Sequence, residues 1–258
     1  MTLLITMKVQ YASDLHLEFP ENKTYLGKIP LRAEGDILLL AGDILPISQI
    51  DRHNDFFKFL SDNFRVTYWL PGNHEFYHSD IDRIGGSLNE RIVENVQIVN
   101  NTTVKDESMT LIFSTLWSKI SPENQLEIVL RYSDFHVIGY KGNSLTVPYY
   151  NYLHEQSLLF LKDQLTKKAD TLRIVVTHHV PTLINYPETY LGDPLNEAFA
   201  VELKDLIDKT GPDYWIFGHS HFNSGDFKIG NTRMLKNTLG YIRFNEHKHF
   251  RRSKVIDV

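Results

Sequence analysis

The sequence contains no cysteine among its 258 residues. This excludes disulfides, thiolate catalysis and thiolate metal sites, and it is typical of proteins in a reducing compartment, so we expect a cytoplasmic protein. Long apolar runs are also missing. The N-terminal run at residues 3–7 is much shorter than the core of a signal peptide, and no stretch approaches the ~20 apolar residues of a membrane span. We therefore expect no membrane partner.

An excess of positive charge is lacking as well. The formal net charge of -5 argues against binding to a nucleic acid polymer or an anionic membrane through bulk electrostatics. Small molecules are the favoured partners, and the sequence gives no indication of the oligomeric state. The length and a hydrophobic content of 42% suit one large α/β domain over residues 1–258, without repeats or linkers.

Short β-branched and aromatic runs alternate with helical patterns along most of the chain, as in parallel α/β folds. The predicted strands cover residues 8–12, 36–41, 66–70, 96–99, 110–114, 172–176 and 213–217. The predicted helices cover residues 51–64, 149–168 and 196–210, with a weaker helical pattern at 80–94.

Three other segments lack a clear period. Residues 17–35 are predicted to be an irregular crossover with little helix. Residues 118–148 are interpreted as a lid-like excursion over the active edge, with a packed surface loop as the alternative. Residues 222–258 are predicted to form antiparallel hairpins that complete a second sheet. Their basic stretch, Lys248, Arg251, Arg252 and Lys254, is interpreted as the solvated face of an edge strand.

Polar side chains follow the first three predicted strands, at the point where each strand ends. Asp14 and His16 follow the first strand, Asp43 the second, and Asn73 and His74 the third. Each motif alone has an ordinary explanation as a surface pair, a turn or a capped helix start. However, Asp14, Asp43 and Asn73 recur at intervals of 29 and 30 residues, about the ~30 residues of one βαβ unit. We therefore expect all three at one edge of the sheet.

Histidines follow two later strands in the same way. His178 and His179 close the strand at 172–176, and the sequence leaves open which of them is the ligand. His219 and His221 follow the strand at 213–217 in a Gly-His-x-His motif that points two imidazoles in one direction. Together, the polar residues at these strand ends offer more ligands than one divalent ion of the first transition row binds. Two ions about 3.5–4 Å apart would use all of these ligands and share Asp43.

In this order, the five motifs resemble those of the calcineurin-like metallophosphoesterase superfamily, from Asp14 to His221. The resemblance implies a four-layer αββα sandwich in which two mixed sheets are flanked by helices. It implies one ion held by Asp14, His16, Asp43 and His221, and another held by Asp43, Asn73, His178 and His219. His178 fits the family position slightly better than His179, because it follows the strand directly after Thr177. His74 is then the catalytic histidine beside the leaving group.

The implied activity is hydrolysis of a small phosphodiester or phosphomonoester, with nucleotides among the candidates. A hydroxide that bridges two divalent ions would attack phosphorus, while His74 donates a proton to the departing oxygen. Manganese, iron, zinc and nickel all suit the ligand set. The alternative is a non-catalytic scaffold or binding module on the same fold.

Further residues are assigned supporting roles. Glu75 and Asp36 are candidates for orienting the ligands, although Glu75 would equally suit a helix start. The aromatic candidates for the substrate wall are Tyr77, Trp117, Tyr186 and Tyr190. Relatives that act on phosphoproteins typically carry Gly-Asp-x-Val-Asp-Arg-Gly at the second motif. Here Gly42-Asp43 is followed by Ile44-Leu45-Pro46, which disfavours that substrate class.

Overall fold

The computed structural model describes residues 7–83, 85–106 and 108–258. Most of the N-terminal apolar run at residues 3–7 lies outside these ranges. The strands in the described ranges are β1 (Lys8–Ala12), β2 (Ile37–Ala41), β3 (Val66–Leu70), β4 (Leu88–Val93), β5 (Val96–Asn100), β6 (Thr102–Lys105), β7 (Met109–Ser114), β8 (Gly139–Tyr140), β9 (Asn143–Ser144), β10 (Leu172–Thr177), β11 (Tyr214–Ile216), β12 (Phe227–Ile229), β13 (Thr232–Leu235) and β14 (Val255–Asp257).

Six α-helices connect these strands within the described ranges. They are α1 (Pro20–Lys28), α2 (Asn54–Asn63), α3 (Gln125–Arg131), α4 (Asp134–Val137), α5 (Val147–Thr166) and α6 (Lys204–Thr210). Short 3₁₀ turns occur at Ile47–Arg52, His74–Phe76, Ile81–Arg83, Glu188–Tyr190, Pro194–Ala198, Ile242–Phe244 and Glu246–His249. None of the helices described here has both the length and the apolar content to cross a lipid bilayer.

Twelve of these strands form two six-stranded mixed sheets, and β8 and β9 pair with each other. The first has the order β14-β1-β2-β3-β5-β4, and the second has the order β12-β13-β11-β10-β7-β6. In each sheet the four inner strands are parallel and the two edge strands are antiparallel to their neighbours. The prediction of two mixed sheets is therefore confirmed.

The central strands are apolar on both sides because both of their faces are covered. In β2, Leu39 faces the other sheet and packs in a core shared with Val176 of β10. Its neighbours Leu38 and Leu40 face outward and pack beneath α1 and α2. Val175 likewise faces α5 and α6 on the outer side of the second sheet. This alternation produces the four layers of an αββα sandwich.

Helix α1 contradicts the prediction of an irregular crossover at residues 17–35. Pro20 occupies the first turn of the helix, where its missing N–H costs nothing. Gly27 lies in the last turn with no heavy atom within 4 Å of the position its Cβ would take. Proline and glycine favour irregular structure in the interior of a segment, but here they lie near the two ends of a regular helix.

The helix predicted at residues 80–94 is also wrong. After the 3₁₀ turn Ile81–Arg83, the segment forms β4, which pairs antiparallel with β5 and contains a register shift between Arg91 and Val93. Leu88 and Ile92 are four residues apart, which imitates a helical period, although both pack on the outer core of the first sheet. Ile84 lies outside the described residues.

The C-terminal half shows three further differences. The helix predicted from Asn196 begins only at Lys204, because residues 194–198 form a 3₁₀ turn; it ends at Gly211 as expected, with φ 51°. Only the β12–β13 hairpin of residues 222–258 joins the second sheet, and β14 pairs with β1 of the first. The basic stretch at residues 248–254 lies in a turn and a loop rather than in an edge strand.

Burial of Leu39 between the sheets gives a test of this packing. We expect Leu39→Ala to lower the free energy of unfolding by about 2–5 kcal/mol, because it leaves a cavity in a core that cannot collapse. Leu126→Ala is the matched control, since Leu126 is 70% exposed, and its effect should stay within about 0.5 kcal/mol. Urea unfolding measures both, and equal effects would contradict this packing.

Candidate active site

The candidate site lies where the carboxyl ends of strands from both sheets meet. Strands β1, β2 and β3 are adjacent and parallel, so the residues that follow them reach one edge, as their spacing predicts. Strands β10 and β11 of the second sheet end at the same place. The structure brings together all seven residues proposed as ligands: Asp14, His16, Asp43, Asn73, His178, His219 and His221.

Four of these side chains form a first cluster. The potential ligand atoms of Asp14, His16, Asp43 and His221 all lie within 4.8 Å of one another. The Nε2 atoms of His16 and His221 are 3.0 Å apart, and His221 Nε2 lies 3.4 Å from Asp14 Oδ1. His16 Nε2 is 3.8 Å from Asp43 Oδ2. This group could hold one metal ion.

A second cluster shares Asp43 with the first. His178 Nε2 lies 3.4 Å from Asp43 Oδ2 and 3.0 Å from His219 Nδ1. Asn73 Oδ1 is 3.2 Å from the same His178 nitrogen. Asp43 therefore occupies the position of a carboxylate that could bridge two ions.

Hydrogen bonds on the far side of each ring decide which nitrogen faces the clusters. His16 Nδ1 lies 3.0 Å from Glu18 Oε1, and His178 Nδ1 lies 2.9 Å from Ala41 O. His221 Nδ1 lies 2.8 Å from Glu246 Oε2. Each of these Nδ1 atoms therefore carries the ring proton and donates it to the oxygen. The Nε2 lone pairs of the neutral rings then point at one another and at carboxylate oxygens. When these rings are neutral, the group presents acceptors alone, which fits a cation.

The charge balance of the site also favours cations. Burial lowers the pKa of His178, but the Asp43 carboxylate outweighs it and raises this pKa to about 9. Burial also lowers the pKa of His221, but Asp14 and Glu246 outweigh burial and raise this pKa to about 10. The negative field that attracts these protons equally attracts a divalent ion, which would replace them.

Backbone strain accompanies the site. Asp14, His16, Asp43, His219 and His221 all have positive φ values, between 48° and 70°. This region is unfavourable for side chains with a Cβ, and residues held there concentrate at functional sites. The left-handed backbone conformation at these residues turns each side chain away from its strand and toward the common centre.

Asn73 is oriented by two residues to which the sequence assigned no role in holding a ligand. Its Nδ2 donates to Asp134 Oδ1 at 2.8 Å and lies 3.3 Å from the Tyr132 hydroxyl, which leaves Oδ1 facing His178. Tyr132 also lies 3.3 Å from His219 Nε2. Both residues belong to the 118–148 excursion, which is packed on an apolar cluster with Trp117.

The structure separates the two adjacent histidines. His178 joins the cluster, whereas His179 lies with Nδ1 3.2 Å from Thr115 O and Nε2 3.4 Å from the Tyr150 hydroxyl. Burial and then the charge of His178 lower the pKa of His179 to about 3, so it stays neutral. His179 therefore has the surroundings of a buried, hydrogen-bonded histidine.

His74 lies beside the first cluster and is held by Glu18. Its Nδ1 is 2.8 Å from Glu18 Oε1, the same oxygen that accepts from His16. Its Nε2 is 4.0 Å from Asp43 Oδ2 and 3.4 Å from the Tyr241 hydroxyl. Burial raises the pKa of Glu18, but the hydrogen bonds from His16 and His74 outweigh burial and lower this pKa to about 2. The sequence carried a signal for Glu18, since it follows His16 by the same two-residue step that separates Asp14 from His16.

Of the two candidate orienting carboxylates, only Glu75 lies at the site. It accepts from the backbone N–H groups of Asp43, Ile44 and Gly72 at 2.9, 2.7 and 2.6 Å and from Trp69 Nε1 at 2.9 Å. The prediction that Asp36 orients a ligand is wrong. It is exposed just before β2, at the opposite end from the site, and accepts from the Lys8 N–H at 2.8 Å.

A cavity of about 460 Å³ opens onto the clusters. Three of the predicted wall residues line it, but Trp117 does not, because its ring is buried against Phe76 and Tyr150. Phe199 stacks on His219 at 4.5 Å and was missed. The lining includes Tyr77, Arg131, Tyr186, Tyr190, Phe199 and Tyr241.

Comparison with known proteins identifies the family. The model of the calcineurin-like phosphoesterases matches residues 7–223, a range that includes every residue of both clusters. The chain belongs to this family. Membership and the two clusters together support a metal-dependent phosphoesterase.

Two similar proteins extend this comparison. Uncharacterized protein L509 of Acanthamoeba polyphaga mimivirus is 29% identical over an alignment 278 residues long, gaps included. The alignment covers 97% of this chain and 96% of that protein. The crystal structure of phosphopantetheinyl hydrolase from Mycobacterium tuberculosis has a TM-score of 0.70 and 14% identity, and covers 96% of this chain and 95% of that one. At that identity the structural likeness supports the fold alone.

Gly72 gives a test of how closely the backbone approaches the clusters of this calcineurin-like phosphoesterase. A Cβ there would collide with Asp43 Oδ1 and lie 2.6 Å from His178 Nε2. We expect Gly72→Ala to weaken metal binding by about 10- to 100-fold, as changes beside metal ligands do. Calorimetric titration with Mn²⁺ measures the affinity. In the control Gly27→Ala the new methyl meets no atom within 4 Å, and unchanged binding by both variants would contradict the prediction.

Glu18 gives a second test. Glu18→Gln keeps the size of the side chain and one acceptor oxygen but removes the charge, so the hydrogen bonds from His16 and His74 to their shared partner become weaker. We expect kcat to fall about 10- to 100-fold. Glu21→Gln, an exposed change in the first turn of α1, should leave kcat unchanged. Steady-state kinetics with measured metal content decides, and equal kcat values for the two variants would rule out this role for Glu18.

Proposed function

We propose that this protein hydrolyses a small phosphodiester or phosphomonoester, with nucleotides among the candidates. The observation that carries the proposal is the convergence of the potential ligand atoms on two clusters that share Asp43, at the floor of a cavity of about 460 Å³. Cavities of this size accommodate small molecules. The net charge of -5 disfavours a nucleic acid polymer.

In this proposal two divalent ions occupy the clusters. One set is Asp14, His16, Asp43 and His221, and the other is Asp43, Asn73, His178 and His219. Mixed imidazole and oxygen ligands suit manganese, iron, zinc and nickel. When bound, such a pair of ions lowers the pKa of a shared water molecule and neutralises phosphoryl oxygens.

His74 is the proposed proton donor to the leaving oxygen. Glu18 holds its Nδ1–H, so Nε2 is directed at the space next to Asp43. Burial lowers the pKa of His74, but Asp43 and Glu18 outweigh it and raise the pKa, which favours the protonated imidazole needed for an acid. Tyr241, 3.4 Å from Nε2, limits the ring to this orientation.

The substrate outside the phosphoryl group would contact aromatic walls. Tyr77 stacks on His74 with ring centroids 4.0 Å apart, and Tyr190 is 53% exposed at the rim of the cavity. Flat groups such as a base or an aryl ester fit between such rings. Residues Ile44-Leu45-Pro46 after Asp43 keep phosphoproteins disfavoured.

The domain organisation and location complete the proposal. We interpret residues 1–258 as one domain in which the 118–148 excursion acts as a lid-like wall. The contacts of Tyr132 and Asp134 with Asn73 support this interpretation. The absence of cysteine supports a cytoplasmic location.

The test compares p-nitrophenyl phosphate with its bis-ester in the presence of manganese. We expect turnover of at least one ester. His74→Ala should keep its metal content. Its kcat should fall by about 10²- to 10⁴-fold for an alkyl ester, whose leaving oxygen needs a proton, and less for the nitrophenyl esters, whose leaving group departs as a stable anion. Asp43→Ala should lose both activity and metal, because it removes the shared carboxylate. The ratio of the two rates distinguishes diester from monoester preference.

His136→Ala is the matched histidine control, since His136 is exposed on α4, and it should retain full activity. Absence of turnover of either ester with manganese, iron, zinc and nickel would overturn the proposal and favour a non-catalytic scaffold on this fold.

A further inference from the structure

A second cavity, of about 540 Å³, lies among the C-terminal loops. It is lined by residues 223–226, by Lys236 directly after β13, and by residues of the basic stretch at 248–254. It shares no lining residue with the active-site cavity in the part of the chain that the structure describes. Neither the family resemblance nor the proposed function uses it.

Lys236 is the unusual residue of this cavity, because it is a lysine that is only 5% exposed. Its Nζ lies 5.2 Å from the centroid of the Phe217 ring and 5.4 Å from that of Phe222. Within the described residues this ammonium forms no hydrogen bond and no ion pair. The aromatic faces stabilise its charge in part, and its three N–H donors face the cavity without a protein acceptor from the described part of the chain.

The other charges of the cavity do not supply a counter-ion for Lys236. Asp226 is the one acidic residue among the described lining residues, and it accepts from Lys254 Nζ at 2.6 Å and lies 4.0 Å from the Arg233 guanidinium. Lys248 and Arg251 add two more positive charges to the lining. The lining therefore carries an excess of positive charge in a protein whose net charge is negative. Burial lowers the pKa of Lys236, and the carboxylate that raises this pKa is Asp14, which does not line the cavity.

A neutral donor adds to this set. Ser224 lines the same cavity, and its Oγ is buried without a hydrogen-bond partner in the described structure. An unpaired hydroxyl and an unpaired ammonium in the lining of one cavity suit an oxyanion, which accepts several hydrogen bonds at once. Burial lowers the pKa of Lys236 to about 8, and a bound anion would keep its ammonium charged.

We propose that this cavity binds a phosphate-type oxyanion, with Lys236 and Ser224 as direct donors and Lys248 and Arg251 as surrounding cations. Several positive charges favour a dianion over a carboxylate. The burial of Lys236 favours a free phosphate or the phosphate of a small molecule over a polymer, whose backbone would not reach the ammonium. The proposal does not depend on the activity of the first site.

The experiment titrates the full-length, metal-loaded protein with inorganic phosphate in a calorimeter. Phosphate is expected to bind at this cavity in addition to any binding at the metal clusters. Lys236→Met keeps the apolar stem and removes the charge, so the stoichiometry should fall by one relative to the unmodified protein, or this affinity should weaken at least about tenfold. This difference is expected whether or not the metal clusters bind phosphate, so it is separate from the test of the proposed function.

Arg252→Gln is the matched control. Arg252 belongs to the same basic stretch, but its Nε donates to Pro30 O at 2.7 Å and it does not line the cavity. The stoichiometry and affinity of phosphate binding should be the same in Arg252→Gln as in the unmodified protein. Ser224→Ala, a milder change, should weaken the same binding event several-fold, and it keeps the test decisive if Lys236→Met does not fold.

Methylphosphonate distinguishes the two sources of the ligand. It carries the dianion with a methyl group in place of one oxygen, so tighter binding than phosphate indicates a phosphorylated small molecule, and weaker binding indicates the free ion. Phosphate binding that is the same in Lys236→Met and Ser224→Ala as in the unmodified protein would overturn the proposal. So would an equal loss in Arg252→Gln, which would show only an effect of overall charge.

Discussion

Mutual repulsion among acceptor atoms around Asp43 is the constraint on which the rest of the structure depends. The ring nitrogens and carboxylate oxygens of both clusters approach within 3.0–3.8 Å, and the bonds from Nδ1 to Glu18, Ala41 and Glu246 turn the Nε2 lone pairs inward. Such an arrangement is unfavourable unless protons or metal cations lie between the acceptors. Left-handed backbone at the strand ends and the close approach of Gly72 are the local costs of bringing these atoms together.

The sequence was sufficient to predict this centre because the period of the fold is regular. Successive parallel strands return the chain to one edge about every ~30 residues, so the spacing of Asp14, Asp43 and Asn73 alone assigns them to one place. The choice between His178 and His179 was different. Both follow the strand, and the family resemblance favoured His178 only slightly. The paths of the side chains, one toward Ala41 O and one toward Thr115 O, separate them.

Other parts of the site depend on contacts that a local pattern does not contain. Asp134 and Tyr132 reach Asn73 from a segment about sixty residues away, whose period is weak because it packs as two short helices and a small hairpin. In the fold, tertiary pairing with β5 overrode the apparent helical period of residues 80–94, and Pro20 and Gly27 lie near the ends of a helix rather than interrupting one. Glu18 was within reach of the alternation argument already applied to Asp14 and His16.

Glu75 has a consequence for how this chain could change over evolution or in the laboratory. One carboxylate satisfies three main-chain amides and an indole at the ends of β2 and β3, so these two connections behave as one rigid unit beneath the reaction centre. Apart from Tyr77, the aromatic residues around the opening, such as Tyr186, Tyr190 and Phe199, lie on segments outside that unit. New substrate preferences could therefore be introduced by exchanging those segments, while the inner scaffold keeps its shape.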